Sequence, residues 1–236
     1  MDNKFVPALV LALGVAVGGF FPGYYYYQTH ADYRSVVVKG LAEKNVKADL
    51  AIWNLKIVVS GNNLQEIQQE IAKQVQMTVA FLQKQGFGAE EITEGPLETN
   101  DLMANPYRDN TAASTSRFIL KQAVTVRTAN VDTVADALSQ TSALIAQNIV
   151  LEEQSAAYFF TKLNDVKPEM LKEATENARQ AAYEFAQNSG SKVGKIHTAN
   201  QGVFSIQSRD DPNAYEPSQI NKKVRVVATI DYFLED

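Results

Sequence analysis

Apolar residues fall along this chain in three kinds of pattern. Residues 5–27 form one run without a charge. Leu64, Ile67, Ile71, Val75 and Leu82 recur at helical spacing, with Thr78 in the same stripe. Asn63 stands where a helix cap belongs, with Glu66 at the capping-box position, and Gly86 is a stop signal. The opposite face carries Gln65, Gln68, Gln69 and Gln76, a neutral solvated surface. A second helix is predicted after Asn130, on Val131, Val134, Leu138 and Ile145. The longest is predicted from Asp165 to Gly190: Asn164 or Asp165 caps it, Pro168 suits its first turn and Glu169 its positive end. Its buried stripe reads Leu171, Ala174, Ala178, Ala181, Ala182 and Phe185, small enough for the helix to lie close to a sheet.

Alternating positions predict strands. One begins at Val36–Lys39. Another covers Ala48–Ser60, where the alternation slips near Trp53–Asn54 and suggests a bulge. Residues 90–99 read as extended and Arg117–Thr128 as their hairpin partner. The turn-rich residues 100–116 between them make a long arm. Residues 153–163, Lys192–Ser208 and Lys222–Leu234 complete the set, with a loop rich in Pro, Asp and Asn at 209–218. Adjacent strands interleaved with helices define an α+β fold, a largely antiparallel sheet with helices packed on one face.

The uncharged run is expected to be a transmembrane helix preceding that domain. Its 23 residues would extend ~34 Å, enough to cross a hydrocarbon core. Lys4, opposed only by Asp2, biases the preceding end to the cytoplasm, and Tyr24–Tyr27 suit the interface on the far side. The anchor positions are Phe5, Leu9, Leu13, Gly14, Gly18, Phe21, Tyr24 and Tyr27, with Gly14 and Gly18 forming GxxxG. The competing reading is a cleaved signal, but no A-x-A site follows; Thr29-His30-Ala31 is nearest. The expected division is a 1–34 anchor and linker, then a 35–236 domain. The domain would lie in the periplasm, on a single-pass inner-membrane anchor or secreted after cleavage.

Composition narrows the chemistry. No Cys is present, which excludes disulfides, thiolate nucleophiles and Cys-ligated metals. A net charge of −5 and a pI near 5.2 argue against nucleic acid as a partner. Two His leave little for metal or triad chemistry. His197 lies on a predicted strand with no assignable partner, and His30 beside the tyrosine run. The pairs Glu90-Glu91, Glu152-Glu153 and Asp210-Asp211 lack calcium-loop spacing and read as solvated. Neither the glycines nor Ser114–Ser116 form a nucleotide loop or a nucleophile elbow. No catalytic, cofactor-binding or metal residue is assigned. Tyr107 and Arg108 in one long loop and Tyr215 in the other are expected as subunit contacts, because Tyr and Arg favour interfaces.

Four stretches resemble the SIMPL domain family: VVVKGLAEKNVKADLAIWNLKI from Val36, FLQKQGFGAEEITEGPL from Phe81, YFFTKLND from Tyr158 and ENARQAAYEFAQNSGSKVGKI from Glu176. Where the family usually carries Pro-Asp, this chain has Lys47-Ala48-Asp49. The resemblance implies an envelope protein, secreted or membrane-anchored, with no catalytic set. It further implies large ring-like homo-oligomers in some members and a loose link to oxidative stress. The expectation is therefore a non-enzymatic, homo-oligomeric envelope protein with a structural or stress-related role. The alternative is a small-molecule-binding or hydrolytic envelope protein.

Overall fold

The computed structural model describes residues 5–29, 34–104 and 116–236. Its elements are α1 (Phe5–Thr29), β1 (Ser35–Lys47), β2 (Leu50–Gly61), α2 (Leu64–Lys84), β3 (Ile92–Asp101), β4 (Phe118–Thr128), α3 (Val131–Ser139), α4 (Ser142–Ile145), β5 (Leu151–Phe159), α5 (Leu163–Ser189), β6 (Lys192–Gln201), β7 (Ser205–Ser208) and β8 (Asn221–Glu235). The fold is α+β, but the strands form two sheets rather than the expected one. One is ordered β3-β4-β2-β5 and is antiparallel throughout. The other has β8 at its centre, with β1 on one side and β6 and β7 on the other. The chain divides into two compact units, one of residues 1–42, 171–203 and 226–236, the other of residues 43–170 and 204–225.

The second unit is built on the four-stranded sheet. Ala51, Trp53, Leu55 and Ile57 of β2 and Leu120, Val124 and Val126 of β4 are buried. They form one core with Ile67, Ile71, Val75 and Leu82 of α2 and with Val131 and Val134 of α3. The α2 stripe is thus buried as its spacing predicts, except that Leu64 is exposed. Asn63 Oδ1 accepts from the backbone N–H of Gln65 at 3.1 Å, and its amide donates to Glu66 at 2.8 Å, completing the cap. Gly86 follows with φ +98°, a conformation glycine adopts without steric cost.

The predicted slip at Trp53–Asn54 is absent. Ala51 and Trp53 point into the core in unbroken alternation, while Leu50 and Ile52 lie half-buried on the other face. Apolar residues on both faces imitate a slip; the irregularity falls instead between Lys56 and Ile57, opposite β5. The single helix predicted after Asn130 is two, α3 and α4. At the break the Ser139 hydroxyl donates to Asp136 O at 2.6 Å and the Thr141 hydroxyl to Leu138 O at 2.9 Å. Such local bonds compete with the helical ladder. They leave Leu144 buried and Ile145 exposed. β5 starts and ends earlier than expected, and Asp49 accepts hydrogen bonds from the Thr161 N–H at 2.7 Å and hydroxyl at 3.0 Å just beyond it.

In the first unit, α5 packs on β1 and β8. Ala174, Ala178, Ala182 and Ala186 are buried, a strict four-residue repeat. Ala178 and Ala182 meet Val36, Val38, Ile230 and Tyr232. Leu171 and Phe185 stand outside this stripe, Leu171 half-buried and Phe185 exposed, contrary to expectation. α5 begins at Leu163, before the expected caps, so Pro168 is inside it. The predicted strand Lys192–Ser208 is interrupted after Gln201. There the Gly202 N–H donates to Val227 O at 3.0 Å, and a Cβ on Gly202 would stand 2.3 Å from that oxygen.

Residues 5–29 are helical, as the uncharged run predicts. Among the described residues, however, no helix is long and apolar enough to cross a membrane. The fold thus does not show the expected transmembrane helix.

Candidate functional site

β6 and β8 bring together the groups closest to chemistry. Their register shifts twice, between Val193 and Ile196 and between Ile196 and Thr198. Bulges of this kind re-aim side chains. Ile196 lies opposite Tyr232, while His197 Nδ1 reaches Asp231 Oδ2 at 3.0 Å. The imidazole also packs on Phe233, ring centres 4.6 Å apart. The carboxylate orients the ring through an Nδ1–H donor and leaves Nε2 for another partner. The His197 side chain is 51 % exposed and Asp231 16 %, and the second Asp231 oxygen is buried without a hydrogen bond among the described residues. General-base work needs a substrate or nucleophile within hydrogen-bond reach. The described cavities are not lined by His197.

A groove of ≈ 520 Å³ lies between α5, Ile196 and Tyr232. Its helical wall is Leu171, Lys172, Thr175, Glu176 and Arg179, a face of α5 beside the buried alanine stripe. Because that stripe lies on β1 and β8, this flank of the helix and the side chains of β6 stay open: Ile196 is 51 % exposed. Tyr232 is the buried floor, 4 % exposed. Burial pushes its phenol up, while the nearby Arg179 charge pulls it down and Tyr183 pushes it up again.

The residues singled out from sequence are scattered. Tyr215 is exposed and precedes the short turn Glu216–Ser218. Tyr107 and Arg108 lie outside the described residues, as does His30. On α1, Leu13, Phe21 and Tyr24 are exposed, Tyr24 stacks on Phe20 at 6.0 Å, and Gly14 and Gly18 face open space. Phe5, Leu9 and Tyr27 belong to the same helix. The acidic pairs serve local contacts: Glu91 accepts from Gly88 N–H at 2.9 Å, Glu152 pairs with Lys121, and Asp210 pairs with Arg209 at 2.7 Å. Among the described residues no three His, Asp or Glu gather as a metal site.

Sequence reasoning left His197 without a partner and missed the groove. Antiparallel pairing of the strands predicted at Lys192–Ser208 and Lys222–Leu234 was the available signal for Asp231. For the groove, it was a lone Arg beside an alanine stripe.

A helix-on-sheet α+β protein with an exposed imidazole–carboxylate pair and an open groove is the class these features define. The chain belongs to the SIMPL family, described as a protein of unknown function (DUF541), whose model matches residues 36–231. No curated protein matches the chain.

Proposed function

We propose that the protein is a non-enzymatic envelope component, held to the inner membrane by α1, whose periplasmic SIMPL domain assembles with copies of itself in a structural or stress-related role. The observation that carries this reading is the edge of β6. Among the described residues it pairs with β8 alone, nearly all its side chains are exposed, and no proline interrupts it. β3, an edge of the other sheet, carries Gly95-Pro96 flanked by Glu94 and Glu98, residues that blunt edge pairing. An edge left open offers unpaired backbone groups to another strand. Val37 and Leu41 on β1, the opposite edge strand, add exposed apolar surface. The uncharged sequence of α1 supports the anchor.

Light scattering on the full chain in mild detergent tests the assembly. A defined multimer, dissociated by Thr198→Pro on β6, is expected; a monomer across the concentration range defeats the reading. Carbonate extraction tests the anchor, which predicts retention in the membrane fraction.

The His197–Asp231 pair supports a second reading, a hydrolytic envelope protein. It requires that His197→Gln abolish a measurable hydrolysis while leaving the fold intact.

A further inference from the structure

The groove on the open flank of α5 has the makings of a ligand site on one face of β6, the strand whose free edge carries the assembly reading. Its volume falls within the range of about 300–1,000 Å³ typical of small-molecule pockets. Leu171, Ile196 and the ring of Tyr232 give it an apolar lining.

The polar groups are few and unequal in charge. Lys172 and Glu176 lie 3.9 Å apart and offset one another. Arg179 has no carboxylate partner and no hydrogen bond among the described residues, so the groove keeps one uncompensated guanidinium. Tyr232 is 4 % exposed, and its hydroxyl makes no hydrogen bond among the described residues. The hydroxyl is not among the buried polar atoms without a partner, so it reaches water in the groove and is open to an acceptor. Here the residue lines the groove beside Arg179, so a ligand can complete it.

We infer that this groove binds a small amphipathic carboxylate, its apolar body on Ile196, Leu171 and the Tyr232 ring and its carboxylate between Arg179 and the Tyr232 hydroxyl. One guanidinium matches the single charge and two oxygens of a carboxylate, which it engages in a two-pronged bond. The phenol supplies a further donor. A cationic amphiphile of the same length would meet Arg179 as a like charge.

The test is calorimetric titration of the full chain with octanoate, and separately with octylammonium, which has the same tail and the opposite charge. Saturable one-site binding of octanoate is expected, with octylammonium at least about tenfold weaker. Arg179→Gln should weaken octanoate about tenfold or more, and Tyr232→Phe about threefold to tenfold. Ile196→Glu places a negative charge on the apolar wall and should abolish binding. Arg179 and Ile196 are exposed, so these variants keep the fold, which their thermal midpoints verify. No saturable binding, equal affinity for both amphiphiles, or octanoate binding unchanged in Arg179→Gln and Ile196→Glu would each overturn the site. The latter two would place the ligand on other apolar surface, such as α1.

Discussion

Gly40 of β1 lies so close to Ala174 of α5 that a methyl group on it would stand 1.8 Å from the Ala174 carbonyl oxygen. The same methyl would be 2.4 Å from the Ala178 backbone nitrogen. Both obstacles are helix backbone and cannot rotate away. The neighbouring Asn177 amide donates to Leu41 O at 2.7 Å, fixing the helix against the strand. Gly40→Ala must push α5 off β1 and open the contacts of Ala178 and Ala182. A loss of about 2–4 kcal/mol is expected, read as a lowered thermal midpoint. A midpoint unchanged within a degree would mean the helix and strand separate without cost.

The Asp49 carboxylate holds both the N–H and the hydroxyl of Thr161. This ties the turn between β1 and β2 to the exit of β5, where Asp49 N–H also donates to Phe159 O at 2.9 Å. The missing proline at this turn therefore leaves the acidic residue's structural work intact. Asp49→Ala should cost about 1–3 kcal/mol, since two hydrogen bonds to a charged acceptor disappear. Thr161→Val should cost less, because the backbone bond survives. Equal losses in urea unfolding of the two variants would contradict that division.

How far the fold was legible follows from the distance over which each feature is decided. The α2 stripe from Ile67 to Leu82 and its Asn63 cap are local, and both stand as read. The alanines of α5 were legible too, but not that Phe185 would be left outside. That depends on the helix docking through Gly40, more than a hundred residues away. The split into two sheets was hidden for the same reason: β8 takes β1 and β6 as neighbours, while β5 joins β2. Periodicity identifies a strand's inward face but not its neighbour. His197 was visible as a residue and invisible as a pair, because two bulges in β6 decide what it meets. Arg179 and Tyr232 carry no motif; the groove exists only where α5, β6 and β8 converge.

Arg117 and Asp101 close the base of the β3–β4 arm. Arg117 Nε lies 3.1 and 3.2 Å from the two carboxylate oxygens, and Nη2 2.8 Å from one of them. The arginine's hydrogen bonds hold the Asp101 carboxyl below the ordinary carboxylate range; burial opposes them, and the Met103 N–H and the Arg117 charge help. A carboxyl lowered by folding stabilises the fold above its unfolded pKa, and that contribution is lost as pH falls through the folded value. Carboxyl NMR should show Asp101 titrating below the ordinary aspartate value, and Arg117→Met should return it toward that value. In Asp101→Asn the acid-side fall in stability should be shallower. An Asp101 midpoint that does not move in Arg117→Met would break the link.

Lys222 is fully buried, and its ammonium pairs with the Glu216 carboxylate and donates to the Glu216 carbonyl oxygen at 2.9 Å. Burying an ammonium is costly, and this one is tied to the turn Glu216–Ser218, which packs beside β5. Lys222→Ala removes the stem and the charge together and should cost about 3–5 kcal/mol. Lys222→Met keeps the stem and leaves Glu216, 30 % exposed, to regain water, so its cost should be smaller. Adding Glu216→Gln to Lys222→Met should recover part of that loss, because no unpaired carboxylate then remains. The turn itself reports on the tether: amide exchange at Gln219, whose N–H donates to Glu216 O at 3.1 Å, should accelerate in both single variants. Exchange at Gln219 that stays as slow as in the parent protein, with stability lowered, would show that Lys222 supports packing alone and does not hold the turn.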